Sequence, residues 1–277
     1  MRRSLLALAT TAALTLAACS SDEEAAEETT TEGSGEIVTL TVGASPVPHA
    51  DILAFIDENL AEEAGIDLEI VEYSDYVLPN RNLDSGELDA NFFQHVPYFN
   101  VQVEENGYDF EHGEGVHIEP YAVYSDTLTS LDELEDGAKV SIVNDPSNQA
   151  RALWLLEDNG IITLDESVEN PTIFDVVDNP KNIEFVELEA PNLPRTLDQV
   201  SISIINGNFA LEGGLVPSED AIAIESGEGN PYANVLAWKA GSDKADAIQI
   251  LDGLLRTQEV ADFITETYPD GEVIPAF

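Results

Sequence analysis

The sequence predicts an α/β protein of two lobes, each a mostly parallel sheet flanked by helices. Short apolar runs alternate with longer segments of helical period, the rhythm of βαβ units. The 277 residues, less a signal and the tail behind it, leave roughly 240, enough for two lobes of about 120. Two amphipathic segments close the chain.

The elements follow in order. Arg2 and Arg3 precede an apolar run, Leu5 to Ala18, too short to span a bilayer as a permanent helix, and small Ala17 and Ala18 suit a signal peptidase. Cys19 is the only cysteine and ends Leu16-Ala17-Ala18-Cys19, a lipoprotein processing signal. Residues 1–18 are expected to leave as a signal peptide, with Cys19 the lipid-bearing first residue of an exported chain without disulfides. Such a chain is expected at the cell membrane, lipid-anchored on its extracytoplasmic face. Residues 19–36 carry Asp22, Glu23, Glu24, Glu27 and Glu28 beside runs of threonine, glycine and serine, a solvated acidic spacer.

A strand is expected at Ile37 to Val42, a helix at Ala50 to Ala64 and a strand at Asp67 to Val71. The unit repeats at Lys139 to Val143 and Pro146 to Asp158, with Gly160 as a stop, and again at Ser201 to Ile205 before a short helix. Ala245 to Arg256 and Gln258 to Tyr268 read as amphipathic helices, with Ile248, Leu251, Leu254 and Leu255 on one face and Val260, Phe263 and Ile264 on another.

Fifty-five acidic against ten basic residues give a formal charge of −45, or −47 once Arg2 and Arg3 leave. Phosphate binding needs a basic surface, so nucleic acid is excluded as a partner. The acidity suits a saline medium and equally an ordinary extracellular surface.

Three segments could carry chemistry. Leu88 to Tyr98 holds three aromatics and a histidine; if 91–95 is extended, Asn91, Phe93 and His95 point one way and Phe92 and Gln94 the other. Aromatic faces beside an imidazole wall an apolar ligand or simply fill a core. In Val140 to Arg151 a buried strand runs into a helix, with Asp145 as N-cap, Pro146 at the first position and Asn148 in the first turn. Ligands gather at such strand ends, and Arg151 could grip a carboxylate or pair with one of the many acids nearby. Asn206 and Asn208 flank Gly207, and Asn234 follows Pro231-Tyr232-Ala233; their amide oxygens suit an ammonium group, and asparagines equally make turns.

Together these segments resemble the substrate-binding lipoproteins of bacterial methionine ABC importers over nearly the whole mature chain. The blocks include Pro48-His49-Ala50-Asp51, Tyr76-Val77-Leu78-Pro79-Asn80, Gly86 to Tyr98 and His117-Ile118-Glu119-Pro120. They continue with Asn144 to Leu153, Ile205-Asn206-Gly207-Asn208-Phe209-Ala210 and Asn230 to Val235. The resemblance implies a type II periplasmic-binding-protein fold closing on methionine, with residues 37–120 and 231–277 as one lobe and 121–230 as the other.

It also implies that Arg151 grips the ligand carboxylate and that Asn206 or Asn208 and Asn234 hold the polar end. Tyr76, Phe92 or Phe93, His95 and Tyr98 would enclose the side chain, and Asn148 belongs to the same expected set. A permease and its ATPase are the implied partners. Leu78 stands where glutamine is common, Val47 where glycine is common and Phe209 where tyrosine is common; the first two bear on ligand preference and closure.

No catalytic residue, cofactor or metal is expected. The nearest approach to a metal cluster is His112-Gly113-Glu114-Gly115-Val116-His117, whose spacing is loose, and no hydrolase or phosphate-loop motif occurs. The remaining alternatives are a structural or adhesive surface lipoprotein and a binder of a related amino acid or small peptide. A surface role would leave the cleft filled by protein side chains.

Overall fold

A computed structural model describes residues 37–227 and 229–277. The predicted signal peptide, Cys19 and the acidic spacer lie outside the described residues. Strands β1 (Val38–Ala44), β2 (Ile66–Glu72) and β3 (Ala90–His95) form the parallel part of one sheet, in the order β3-β1-β2. Between β1 and β2 the chain is helical over 51–64, ending at Gly65 with φ of +79°, the left-handed C-terminal stop that glycine adopts most easily. Helix Leu78–Ser85 leads on toward β3, and helix Val96–Asn106 follows it. Leu40 and Val42 pack against Ile52, Leu53 and Ile56, all fully buried.

After β4 (Phe110–His112) and β5 (His117–Ile118), residues 119–121 carry the chain to a second sheet. There the strands are β6 (Ala122–Tyr124) and β7 (Lys139–Val143), the separate hairpin-like pair β8 (Thr163–Leu164) and β9 (Val176–Asp178), then β10 (Glu184–Leu188), β11 (Ile202–Ile205) and β12 (Ala221–Ile224). The sheet order is β10-β7-β11-β6-β12. Helix Pro146–Asp158, with the bounds read from the sequence, covers one face through Leu153 and Leu156 against Val140, Ile142, Ile202 and Ile204.

The chain returns through 225–233 to β13 (Asn234–Lys239), which inserts between β3 and β5, and it ends with β14 (Ile274–Pro275) at the edge. Helices Ala245–Leu254 and Gln258–Thr267 place Ile248, Leu251, Leu255, Val260 and Ile264 in the first core. Each fully buried aliphatic contributes about 2 kcal/mol, so the C-terminal helices form a wall of that core.

Both sheets are mixed. Parallel pairing joins β3, β1 and β2 in one and β10, β7 and β11 in the other. β6 and β13 follow the two passages between the sheets and pair antiparallel with their neighbours.

The expected alternation along β3 is corrected by a bulge. Gln94 and Phe92 pair with the adjacent residues Val235 and Leu236, so Phe93 is the extra residue on its strand. Asn91 and Gln94 therefore share a face, joined Nε2 to Oδ1 at 3.0 Å. Strict alternation would have put them on opposite faces.

Candidate ligand-binding site

Three strand ends converge. β3 ends at His95, β7 leads to Asp145 and β11 leads to Asn206, and each is followed by a helix. In α/β sheets this is where ligands collect, because helix starts present free N–H groups there.

Each helix start is built locally. His95 Nδ1 accepts the Tyr98 N–H at 3.1 Å, capping helix Val96–Asn106. A neutral ring accepting at Nδ1 carries its proton on Nε2, and that atom faces Asn148 Oδ1 at 3.0 Å. Asp145 caps helix Pro146–Asp158 by accepting the Asn148 N–H at 2.9 Å, and its carboxylate also holds the Asn148 amide at 3.1 and 3.2 Å. Asn206 Nδ2 donates to the same Asn148 Oδ1 at 2.9 Å. Asn148 is thus the junction of all three strand ends.

Around this junction Tyr76, Phe93, Gln94, His95, Tyr98, Asn148 and Asn206 line a void of about 20 Å³, room for about one water molecule. Tyr76 closes it from above: its hydroxyl donates to Asn208 Oδ1 at 2.5 Å, and its backbone oxygen accepts the Tyr98 hydroxyl at 3.0 Å. Its ring lies 5.0 Å from Phe209, 5.7 Å from Tyr98 and 5.9 Å from Phe93. A larger cleft of about 630 Å³ shares Tyr76 and Tyr98 and opens outward past Leu78, Arg81, Asp145 and Glu189.

Beneath Phe93, Asn80, Asn91 and Gln94 close a buried amide network. Asn80 and Gln94 exchange two hydrogen bonds of 3.0 and 2.9 Å, and Asn91 donates to Asn80 Oδ1 at 2.8 Å. The network pins helix Leu78–Ser85 to β3 and so fixes the approach of Tyr76.

Burial, with Arg151 nearby, pulls the His95 imidazole down to about 3. It is neutral at pH 7, as its donor and acceptor contacts require. Burial pushes the Asp145 carboxyl up to about 6, against the Asn148 hydrogen bonds that favour its charge. The Tyr76 and Tyr98 hydroxyls rise well above the ordinary tyrosine value because they are buried.

The other predicted residues lie nearby in different surroundings. Phe92 is fully buried on the far side of β3, its ring 4.8 Å from His49 and 5.4 Å from His117. Asn208 is engaged by Tyr76 and faces Glu212 at 3.5 Å. Asn206 is the asparagine of this pair that lines the void, and its Oδ1 is buried without a hydrogen-bond partner. Asn234 Oδ1 meets His49 Nε2 at 3.1 Å.

Arg151 sits behind the void. Its guanidinium donates to Glu225 Oε2 at 2.6 and 3.0 Å and to the Glu119 backbone oxygen at 2.9 Å. It lies over the Tyr232 ring at 4.1 Å and the Tyr121 ring at 5.0 Å. Tyr232 in turn stands edge-on to His95 at 5.0 Å.

The fold and site can be set beside known proteins. The family model described as NlpA lipoprotein matches residues 40–277. The chain belongs to this family. Its relatives include the D-methionine-binding lipoprotein MetQ of Escherichia coli K12, 40% identical over 215 residues, 76% of this chain and 79% of that one. A lipoprotein structure from Actinomyces odontolyticus matches with a TM-score of 0.85 at 51% identity, over 87% of this chain and all of that one. A nutrient binding protein from Burkholderia cenocepacia, solved bound to methionine, matches with a TM-score of 0.82 at 38% identity, over 86% of this chain and all of that one.

In this NlpA lipoprotein several residues near the site escape a reading based on ligand chemistry. Tyr232 and Glu225 flank Arg151, and Glu119, His49 and His117 form a buried cluster whose ligand-type atoms lie within 4.8 Å of one another. Of the loosely spaced histidine pair noted in the sequence only His117 joins it; His112 is exposed, with Nδ1 at 2.6 Å from the Gly113 backbone oxygen. The blocks Pro48-His49-Ala50 and His117-Ile118-Glu119 were the available signal. Nothing in their spacing announced that they meet.

Proposed function

We propose that this NlpA lipoprotein captures methionine between its two lobes and delivers it to an ABC permease and its ATPase. The observation that carries the reading is the convergence of Phe93, Tyr76, Tyr98, His95, Asn148 and Asn206 on one void between the sheets. A buried zwitterion needs both charges paired, and its thioether prefers polarisable aromatic walls. Phe93, His95 and Tyr98 supply the walls; Asn206 Oδ1 and Asn234 serve the ammonium, and Arg151 serves the carboxylate. D-methionine in the name of the Escherichia coli relative and methionine bound to the Burkholderia one support methionine as the ligand; of the two isomers we assign L-methionine, which the calorimetry below tests against D-methionine.

The void holds far less than an amino acid. Entry therefore requires residues 37–120 with 231–277 to part from 121–230, breaking the His95–Asn148 and Tyr76–Asn208 hydrogen bonds. Ligand contacts replace them on closure, and that difference in contacts drives the change. Arg151 must exchange part of its bonding to Glu225 for the ligand carboxylate.

Cys19, on this reading, bears lipid that holds the protein at the outer face of the cell membrane near its transporter. Among the described residues no helix is long and apolar enough to cross a membrane.

Calorimetry with L- and D-methionine tests the proposal, together with mass spectrometry of small molecules released from denatured, freshly purified protein. The expected result is L-methionine binding at about micromolar affinity or tighter. The small void favours one second reading, a structural or adhesive surface lipoprotein with a closed cleft. A wild-type chain that bound neither isomer would support that reading.

A further inference from the structure

We propose that Glu119, held by His49 and His117, is a positioning residue that sets Arg151, the Asn206–Asn208 turn and Asn234 together as one polar cradle. The inference rests on the ligand roles proposed above for those groups. Glu119 lies in the short passage between β5 and β6, and it is 6% exposed, with His49 at 1% and His117 at 0%. It has direct or relayed contact with every member of the cradle.

Its backbone oxygen accepts Arg151 Nη2 at 2.9 Å. Its carboxylate lies against the helix start that carries Asn208, whose backbone N–H favours its charge. The fit against that helix start is close: a Cβ placed on Gly207 would stand 2.6 Å from Glu119 Cβ. On the other side, Glu119 Oε1 meets His117 Nε2 at 2.9 Å and His49 Nε2 at 3.4 Å. The same His49 nitrogen meets Asn234 Oδ1 at 3.1 Å.

An ionised carboxylate only accepts hydrogen bonds, so both imidazoles present Nε2–H and leave Nδ1 bare. His117 Nδ1 is indeed buried without a partner. Burial opposes charge on Glu119, but His49 and His117 together with the Asn208 N–H outweigh it and hold the carboxyl below its ordinary value. The result is one buried anion behind the asparagine oxygens.

The same three side chains invite comparison with a metal site. A metal on the Nε2 atoms would move each ring proton to Nδ1, where metal-bound histidines almost always find an acceptor. Here His117 Nδ1 has none. The hydrogen-bonded arrangement is therefore the better match.

Glu119→Gln tests the role, since it keeps the shape and replaces an acceptor with donors facing other donors. Calorimetry should show L-methionine affinity reduced at least tenfold. Affinity for its α-hydroxy analogue, which lacks the ammonium, should fall much less, because the lost charge serves the ammonium end. Equal losses for both ligands would mark Glu119 as merely structural and overturn the proposal.

Imidazole nitrogen NMR on the unliganded wild-type protein provides a second reading. It should find the ring proton of both His49 and His117 on Nε2 with Nδ1 bare, and Nδ1–H rings would overturn the proposal. This measurement decides the matter if Glu119→Gln does not fold. It also stands if wild-type protein binds no methionine, a result that would defeat the proposed function separately. Stabilisation of wild type by Zn²⁺, absent from Glu119→Gln, would assign the cluster to a metal and overturn it as well.

Discussion

His95 Nε2 donates to Asn148 Oδ1 at 3.0 Å, linking the last residue of a strand in one sheet to the first turn of a helix beyond the other. The bond ties together the two halves that, on the proposed function, separate to admit a ligand. His95→Phe keeps the ring and removes the bond, which should weaken closure by about 1 kcal/mol. Small-angle scattering without methionine should show a larger radius of gyration than wild type. Calorimetry should show methionine affinity lowered about fivefold, through the lost polar contact of His95 with the ligand and not through the His95–Asn148 bond, which the ligand displaces.

Phe92 and Phe93 are adjacent and should behave differently. Phe92→Ala empties a core position fully shielded by His49 and His117 and should cost about 3 to 5 kcal/mol in urea unfolding. Phe93 lines the void. Phe93→Ala should cost more in methionine affinity than in stability, and a matching pattern in both variants would contradict the placement.

Arg151→Ala should remove most methionine binding and leave the Glu225 charge without its cation, held only by the Tyr121 N–H at 3.0 Å. Adding Glu225→Gln should recover part of the lost stability, on the order of 1 kcal/mol, since it removes the unpaired charge. Binding should stay lost. Recovery of binding in the double variant would show that Arg151 does not hold the ligand.

Acid should destabilise the protein partly through its buried histidines. His49 is held down to about 4 and His95 to about 3, chiefly by burial, whereas the unfolded chain protonates them near 6.5. The stability from keeping them neutral is whole above pH 6.5 and is lost as pH falls toward the folded values. Below about pH 6 each imidazole contributes about 1.4 kcal/mol per pH unit. Asp145, whose folded carboxyl is pushed up to about 6, works in the opposite sense over the same range, so the measure is the difference in slope between variant and wild type. His95→Gln should unfold with a shallower acid slope than wild type in chemical denaturation between pH 6 and 4.5.

Gly207→Ala should be poorly tolerated although the helix it begins would accept alanine. The new methyl meets Glu119 Cβ at 2.6 Å, and overpacking of this kind costs about 1 to 3 kcal/mol. Thermal unfolding should show a lowered midpoint. Methionine affinity should fall too, because the shift falls on the turn carrying Asn206 and Asn208.

The strand and helix pattern was legible because it depends on local periodicity and caps. Asp145 and Pro146 alone locate the start of helix Pro146–Asp158. The bulge at Phe93 was not legible, because it is imposed by β13, which pairs with β3 from more than a hundred residues away. The same distance hid the cradle. For Arg151 the strand-to-helix turn left open a carboxylate ligand or a neighbouring acid, and its engagement by Glu225 and Tyr232 depends on the second passage between the sheets. Asn206 and Asn208 were indistinguishable in sequence; the Tyr76 hydroxyl separates them by engaging Asn208.

The position of β13 has a consequence for the order in which the chain can fold. The second sheet draws its strands from the continuous stretch between Ala122 and Ile224. The first needs β13 in its interior and core residues as late as Val273. As the chain emerges from its N-terminus, the later-numbered half can therefore complete its sheet while the earlier one still waits for its centre.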